Sequence, residues 1–181
     1  MTSLFAKTAL LPDGWAQNVV VTIAQGRIAD VQAGAQAGDH KIVDILLPAP
    51  TNLHSHAFQR AMAGMAETAL NPQDSFWTWR DLMYRLVGKL SPEQVQAIAA
   101  RLYIEMLKAG YTSVGEFHYL HHQPNGQPYD NPAEMSQAII RAAEDAGIGL
   151  TLLPVLYQTG GFDGRDLNDT QKRFGHSTND F

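Results

Sequence analysis

From about Leu47 onward the chain alternates strand-like, helical, strand-like, helical and strand-like segments. Parallel strands need a long crossover, which a helix supplies, so this order restricts the segment to a parallel α/β unit. The first strand-like stretch ends near Leu53. Ser91, Pro92 and Gln94 then mark a helix start, with a capping serine, a proline suited to the first helical position and a capping-box partner. Val95, Ile98, Ala99, Leu102 and Met106 form one apolar stripe, and Gly110 stands where a helix ends, so the spacing predicts a helix from about Pro92 to Ala109. Tyr111–Phe117 reads as a strand and 118–130 as a polar loop. Asn131, Pro132 and Glu134 repeat the cap pattern for a second helix, which Gly147 ends. Ile148–Tyr157 reads as another buried strand.

Before Leu47 the pattern is different. LFAKTALL, NVVVTI, RIADVQ and KIVDILL are short β-like runs, with turns at Asp13-Gly14 and Gln25-Gly26. They predict a small N-terminal β-sandwich or sheet over residues 1–47, followed by an α/β region over 48–181.

Composition excludes several functions. A net charge of −5 with scattered Lys and Arg offers no basic field for nucleic acid or anionic lipid. The absence of cysteine removes disulfides, thiolate nucleophiles and cysteine-type metal sites, leaving His and carboxylates as ligands. No secretory pattern or run of roughly 18 apolar residues is present, so a soluble cytoplasmic protein is expected.

His54 and His56 close the apolar stretch that follows Pro48 and Pro50. Side chains two apart on a strand point the same way, so two imidazoles can converge on one metal ion. The pair alone reads equally well as surface or capping histidines.

The small N-terminal β region followed by a strand ending in His-x-His resembles the amidohydrolase superfamily of metal-dependent (β/α)8 hydrolases. Within it, NLHSHAFQRAMAGMAE, DSFWTWRDLMYR and YIEMLKAGYTSVGEFHYLHH resemble the formimidoylglutamate deiminases of histidine degradation. The similarity spans Leu47 to Tyr157. It implies an α/β fold whose second region is the start of a TIM barrel, and a zinc-dependent hydrolysis of N-formimino-L-glutamate to N-formyl-L-glutamate and ammonia. A closed barrel takes roughly 250 residues, so about three of its strands fit here. The expectation is a partial barrel, with the catalytic groups and remaining ligands beyond Phe181, an inactive 181-residue chain and a homodimeric complete enzyme. Pro48, Ala49 and Pro50 stand where amidohydrolases commonly have glycine.

The resemblance implies His54 and His56 as zinc ligands and Gln59, Arg80 and Tyr119 as substrate contacts. A guanidinium can bind a substrate carboxylate bidentately, and Trp77 and Trp79 would restrict the Arg80 rotamers. By itself Arg80 reads as a surface-helix arginine paired with Asp74 or Asp81. Gln59 has an amide that both donates and accepts, and Tyr119 a phenol at the strand's C-terminal end; read alone, they are a solvated helix residue and a packing tyrosine. His118, His121 and His122 read as supporting or functionless loop histidines, not ligands. Glu116 sits in an otherwise apolar strand and could face the barrel interior, where a buried carboxylate needs a partner or a place near the mouth. Met62, Met65 and Met83 read as core or lid packing. The alternatives to the deiminase reading are a ring-directed deaminase of the same superfamily and a non-catalytic truncated product.

Overall fold

The computed structural model describes residues 1–65 and 75–181. The chain divides into two units, Met1–Ala49 and Pro50–Phe181.

The first unit is one four-stranded sheet, so the single-sheet form of the two predicted is the one adopted. Strands β1 (Thr2–Leu11), β2 (Gly14–Ala24), β3 (Arg27–Gln32) and β4 (Lys41–Leu46) lie in the order β3-β2-β1-β4. β1 pairs antiparallel with β2, β2 antiparallel with β3, and β1 parallel with β4. The turn between β2 and β3 needs two residues with positive φ, and Gln25 and Gly26 adopt φ of 52° and 73°. That is the hairpin geometry that matches strand twist. Ala6, Ala9, Val19 and Val21 form a small buried cluster on this sheet, flanked by Leu4, Ile23 and Val43.

The second unit is built on a three-stranded parallel sheet, β5 (Thr51–Ser55), β6 (Ser113–His118) and β7 (Gly149–Pro154), in that order. Between β5 and β6 come a 3-10 segment (Ala57–Met62) and two helices, α1 (Phe76–Val87) and α2 (Pro92–Lys108). Helix α3 (Glu134–Ala146) links β6 to β7, and a second 3-10 turn spans Lys172–Phe174. The α2 start is the predicted capping box: Ser91 Oγ accepts the Gln94 N–H, and Gln94 Oε1 accepts the Ser91 N–H at 3.0 Å. The core lies between the sheet and the α2/α3 layer, with Val95, Ala99, Tyr103, Val114, Ala138, Ile139 and Ala142 buried in it. Met62 and Met83 are buried, whereas Met65 is exposed.

Four sequence expectations need correction. The α3 start is not capped by an Asn131 side chain at the helix boundary: Ala133 is the N-cap residue and makes no side-chain bond. Asn131 instead accepts the Ala133 N–H at 3.1 Å and forms a turn one step earlier, because Pro132 and Ala133 occupy a turn before the helix begins. β7 is not buried along its length. It pairs with β6 alone among the described residues, and Leu153 remains 37% exposed. The α2 stripe extends to Tyr103, which is fully buried, while Ile98 and Leu102 are only partly so.

The fourth correction concerns the tail from Gly160 to Phe181, whose polar, glycine-containing sequence predicts no cap or closing element; the structure gives it one. Gly175 bridges Tyr157, and the His121 and His122 amides both donate to the Arg173 carbonyl. Arg173 is itself 1% exposed. Its guanidinium donates to the Leu90 carbonyl at 2.9 Å, to the His122 carbonyl at 2.9 Å and to the Val87 carbonyl. Helix α1 ends at Val87, so the Val87 and Leu90 carbonyls lie at and just past a helix C-terminus, a place that favours a cation. No helix among the described residues is long and apolar enough to cross a membrane.

Candidate metal and substrate site

His54 ends in the exposed mouth of the sheet and His56 in the loop just after β5. Their Nε2 atoms converge to 3.0 Å. β5 carries a register shift between Asn52 and Ser55, and the His54 amide donates to Asn52 Oδ1 at 3.0 Å. Phe117, the penultimate residue of β6, organises both rings. The His54 imidazole stacks on it with centroids 4.5 Å apart, and His56 Nδ1 donates to its carbonyl at 3.0 Å. A carbonyl only accepts, so the Nδ1 of His56 bears the proton and its Nε2 carries the lone pair.

This geometry fits a metal. Two imidazole nitrogens 3.0 Å apart lie within the span of two Zn–N bonds of about 2.0–2.1 Å. The carbonyl behind His56 is the kind of partner that orients a ligating imidazole. Among the described residues there is no cluster of three or more potential ligands, so two histidines make up the donor set assembled here.

Arg80 and Tyr119 line one cavity of about 1100 Å³, together with Tyr84, Tyr157, Gln158 and Arg165. Tyr119 also contacts the His56 ring, with centroids 5.3 Å apart, so the cavity adjoins the histidine pair. Arg80 is oriented by two hydroxyls: its Nε donates to Tyr84 at 3.0 Å and its Nη2 to Tyr157 at 3.3 Å. Burial opposes the Arg80 charge, but the two tyrosines more than offset it and hold the guanidinium above its ordinary range. Gln171, 2% exposed, donates to both hydroxyls and to the Gly160 carbonyl. Two tyrosines thus help to orient the arginine. Trp79 is half-buried against the core, while the Trp77 side chain and Asp74 lie outside the described residues.

Gln59 is not brought into this cavity. It sits on the 3-10 segment Ala57–Met62, and its amide points to the Met83 sulfur at 3.8 Å. On the same segment Arg60 is bound by Glu105 of α2 at 2.8 and 3.0 Å. Glu105 also accepts Arg101, and the two hydrogen-bonded arginines lower its pKa to about 2.

Glu116 faces α2, not the barrel interior. It shares a sheet face with Ser55, its partner on β5, and its carboxylate Oε1 accepts the Ala57 N–H at 2.6 Å. Burial raises its pKa. Tyr103 lies near it, and burial together with the Glu116 charge raises the phenol. His118, on the same face, is 1% exposed, and burial lowers its pKa to about 3. His121 donates from Nε2 to Val155 at 3.1 Å and His122 to Gly175 at 2.7 Å. The His122 ring thus fastens the tail, while the His121 ring is tied to the residue that follows β7.

The residues that sequence reasoning missed are Tyr84, Tyr157 and Gln171. Tyr84 lies four residues after Arg80 on α1, a spacing that places the two side by side and was readable. Tyr157 and Gln171 reach the arginine only through tertiary structure.

The family model described as formimidoylglutamate deiminase HutF, N-terminal domain, matches residues 1–41, and that of the amidohydrolase family matches residues 45–174. A formimidoylglutamate deiminase from Pseudomonas aeruginosa is 59% identical over 176 residues, 96% of this chain and 39% of that protein. The crystal structure of an amidohydrolase from Brucella melitensis superimposes with a TM-score of 0.91 at 50% identity, covering 97% of this chain and 40% of that one. A variant of the atrazine chlorohydrolase from Arthrobacter aurescens, complexed with zinc and atraton, shares the fold at a TM-score of 0.61 and 20% identity, over 84% of this chain and 35% of its own. The chain thus spans about two fifths of the length of the first two relatives.

Proposed function

The chain belongs to the amidohydrolase family, and from that we propose that it carries part of the active site of a zinc-dependent formimidoylglutamate deiminase. In that reaction water adds to the C=NH carbon of N-formimino-L-glutamate and the C–N bond to the imino nitrogen breaks, giving N-formyl-L-glutamate and ammonia. The observation that carries the reading is the convergence of the His54 and His56 Nε2 atoms at 3.0 Å beside a cavity that holds Arg80 and Tyr119. The 59% identity to a protein of that activity supports the choice of substrate.

In this reading residues 48–181 form the start of the hydrolase barrel and residues 1–47 its N-terminal β region. His54 and His56 hold zinc through Nε2, with His56 kept in the required tautomer by Phe117. Bound zinc supplies a water acidified toward neutral pH. Arg80, oriented by Tyr84 and Tyr157, binds a substrate carboxylate with its planar fork. The Tyr119 hydroxyl donates a further hydrogen bond, and its ring keeps water from one flank of the His56 imidazole. The Arg80 guanidinium suits a carboxylate-bearing substrate better than a neutral ring, which favours the deiminase over a ring-directed deaminase. Gln59, turned toward Met83, reaches substrate only by rotating its side chain. The protein acts in the cytoplasm as a homodimer.

The test is ammonia release from N-formimino-L-glutamate by the full product of the gene, with His56→Ala as the control. Turnover that falls to background in the variant is the expected result. Deamination of guanine or cytosine, with none of N-formimino-L-glutamate, would overturn the reading.

A further inference from the structure

We propose that Glu116 is a positioning residue for the histidine pair, acting through the backbone that follows His56. The proposal rests on the reading of His54 and His56 as metal ligands. Two consecutive residues of β6 hold two consecutive residues of the site, one through its backbone and one through its side chain: the Phe117 carbonyl takes the His56 Nδ1 proton at 3.0 Å, and the Glu116 carboxylate takes the Ala57 N–H at 2.6 Å. The His56 ring and the peptide N–H that follows it are thereby both held by β6.

Ala57 opens the 3-10 segment, and its N–H is one of the donors that such a start leaves unpaired. An N-cap side chain ordinarily serves it. Here the N-cap residue is His56, whose side chain makes no capping bond because it is turned to Phe117 and His54. The acceptor therefore has to come from elsewhere in the fold, and Glu116 supplies it across the sheet.

The cost of this arrangement argues for a role. Glu116 is 1% exposed, and burial pushes its carboxyl up even with the Ala57 N–H and the Ser55 and Tyr103 hydroxyls around it. A well-packed apolar residue would fill the space between β6 and α2 with less penalty. What it would lack is an acceptor at the end of a side chain of this reach. Because the role depends on reach and on acceptor capacity, glutamine fulfils it and aspartate, one methylene shorter, does not.

The experiment measures zinc affinity by chelator competition, and thermal midpoint alongside it, for the full product of the gene and its Glu116→Gln, Glu116→Asp and His56→Ala variants. Zinc alone is the probe, so the readout does not depend on turnover. Glu116→Asp is expected to lose on the order of 10- to 100-fold in zinc affinity, the usual effect of losing an outer-shell partner. Glu116→Gln should stay close to the parent, and His56→Ala should take up no zinc at the site. Parental zinc affinity in Glu116→Asp, or a larger loss in Glu116→Gln than in Glu116→Asp, overturns the positioning role. An unoccupied parent, or uptake unaffected by His56→Ala, overturns the metal reading itself and the proposal with it.

Discussion

The Nδ1 atom of His56 lies 3.0 Å from the carbonyl oxygen of Phe117. That single bond chooses the tautomer, and so decides that the lone pair of His56 points at His54 and not into the sheet. Nitrogen-15 spectra of the histidine rings are expected to show His56 as the Nδ1–H tautomer near neutral pH. The Nε2–H tautomer would remove the metal-binding lone pair from the site.

Arg80 should be sensitive to conservative change. Lysine has the charge but not the planar fork that meets Tyr84 and Tyr157 at once. Loss of one charge-assisted hydrogen bond, about 1.5–3 kcal/mol, corresponds to roughly 10- to 100-fold in kcat/KM. Arg80→Lys is expected to lose that much, mainly through KM. Steady-state kinetics with N-formimino-L-glutamate provide the check, and an unchanged KM would remove Arg80 from the substrate site.

Arg173→Met should destabilise the second unit by about 2–4 kcal/mol, because the Val87, Leu90 and His122 carbonyls lose their buried donor together. Urea unfolding followed by tryptophan fluorescence measures this. A midpoint within error of the parent would mean that water serves these carbonyls equally well.

Acid stability should depend on Glu105. Its folded pKa of about 2 lies below the ordinary carboxylate value near 4.5, and the Arg60 and Arg101 hydrogen bonds cause the difference. The ionised form is therefore favoured by folding. Its contribution is full above the unfolded pKa and is lost as pH falls from there toward about 2. Glu105→Gln is expected to flatten the decline of the thermal midpoint across that window, and an unaltered acid limb would assign the decline to other groups.

Ser91→Ala removes the side-chain acceptor of the α2 capping box and is expected to cost about 1 kcal/mol. This helix was legible in the sequence because Ser91, Pro92 and Gln94 act within one turn. The Gln25-Gly26 hairpin was legible for the same reason. The burial of β7 was misread, since an apolar run looks alike in a central strand and in one paired on a single side. Tyr103 and Arg173 were hidden for another reason: their environments are made by residues far away in sequence. His54 and His56 announced themselves by spacing, whereas the partners that aim them, Phe117 and Glu116, lie some 60 positions later, at sequence separations of 61 and 59 for the two contacts.

The carbonyls of Val87 and Leu90 become available to Arg173 only where α1 has already terminated. Until then the guanidinium has no dry place to go, and water holds it better than an apolar layer does. Docking of the tail therefore reports that α1 has stopped at the right residue. A chain whose α1 overran by a turn would leave Arg173 in solvent and the His121 and His122 amides without their acceptor. Hydrogen exchange at those two amides would read out correct helix registration from a site 30 residues or more away in sequence, Val87 and His121 being numbered that far apart.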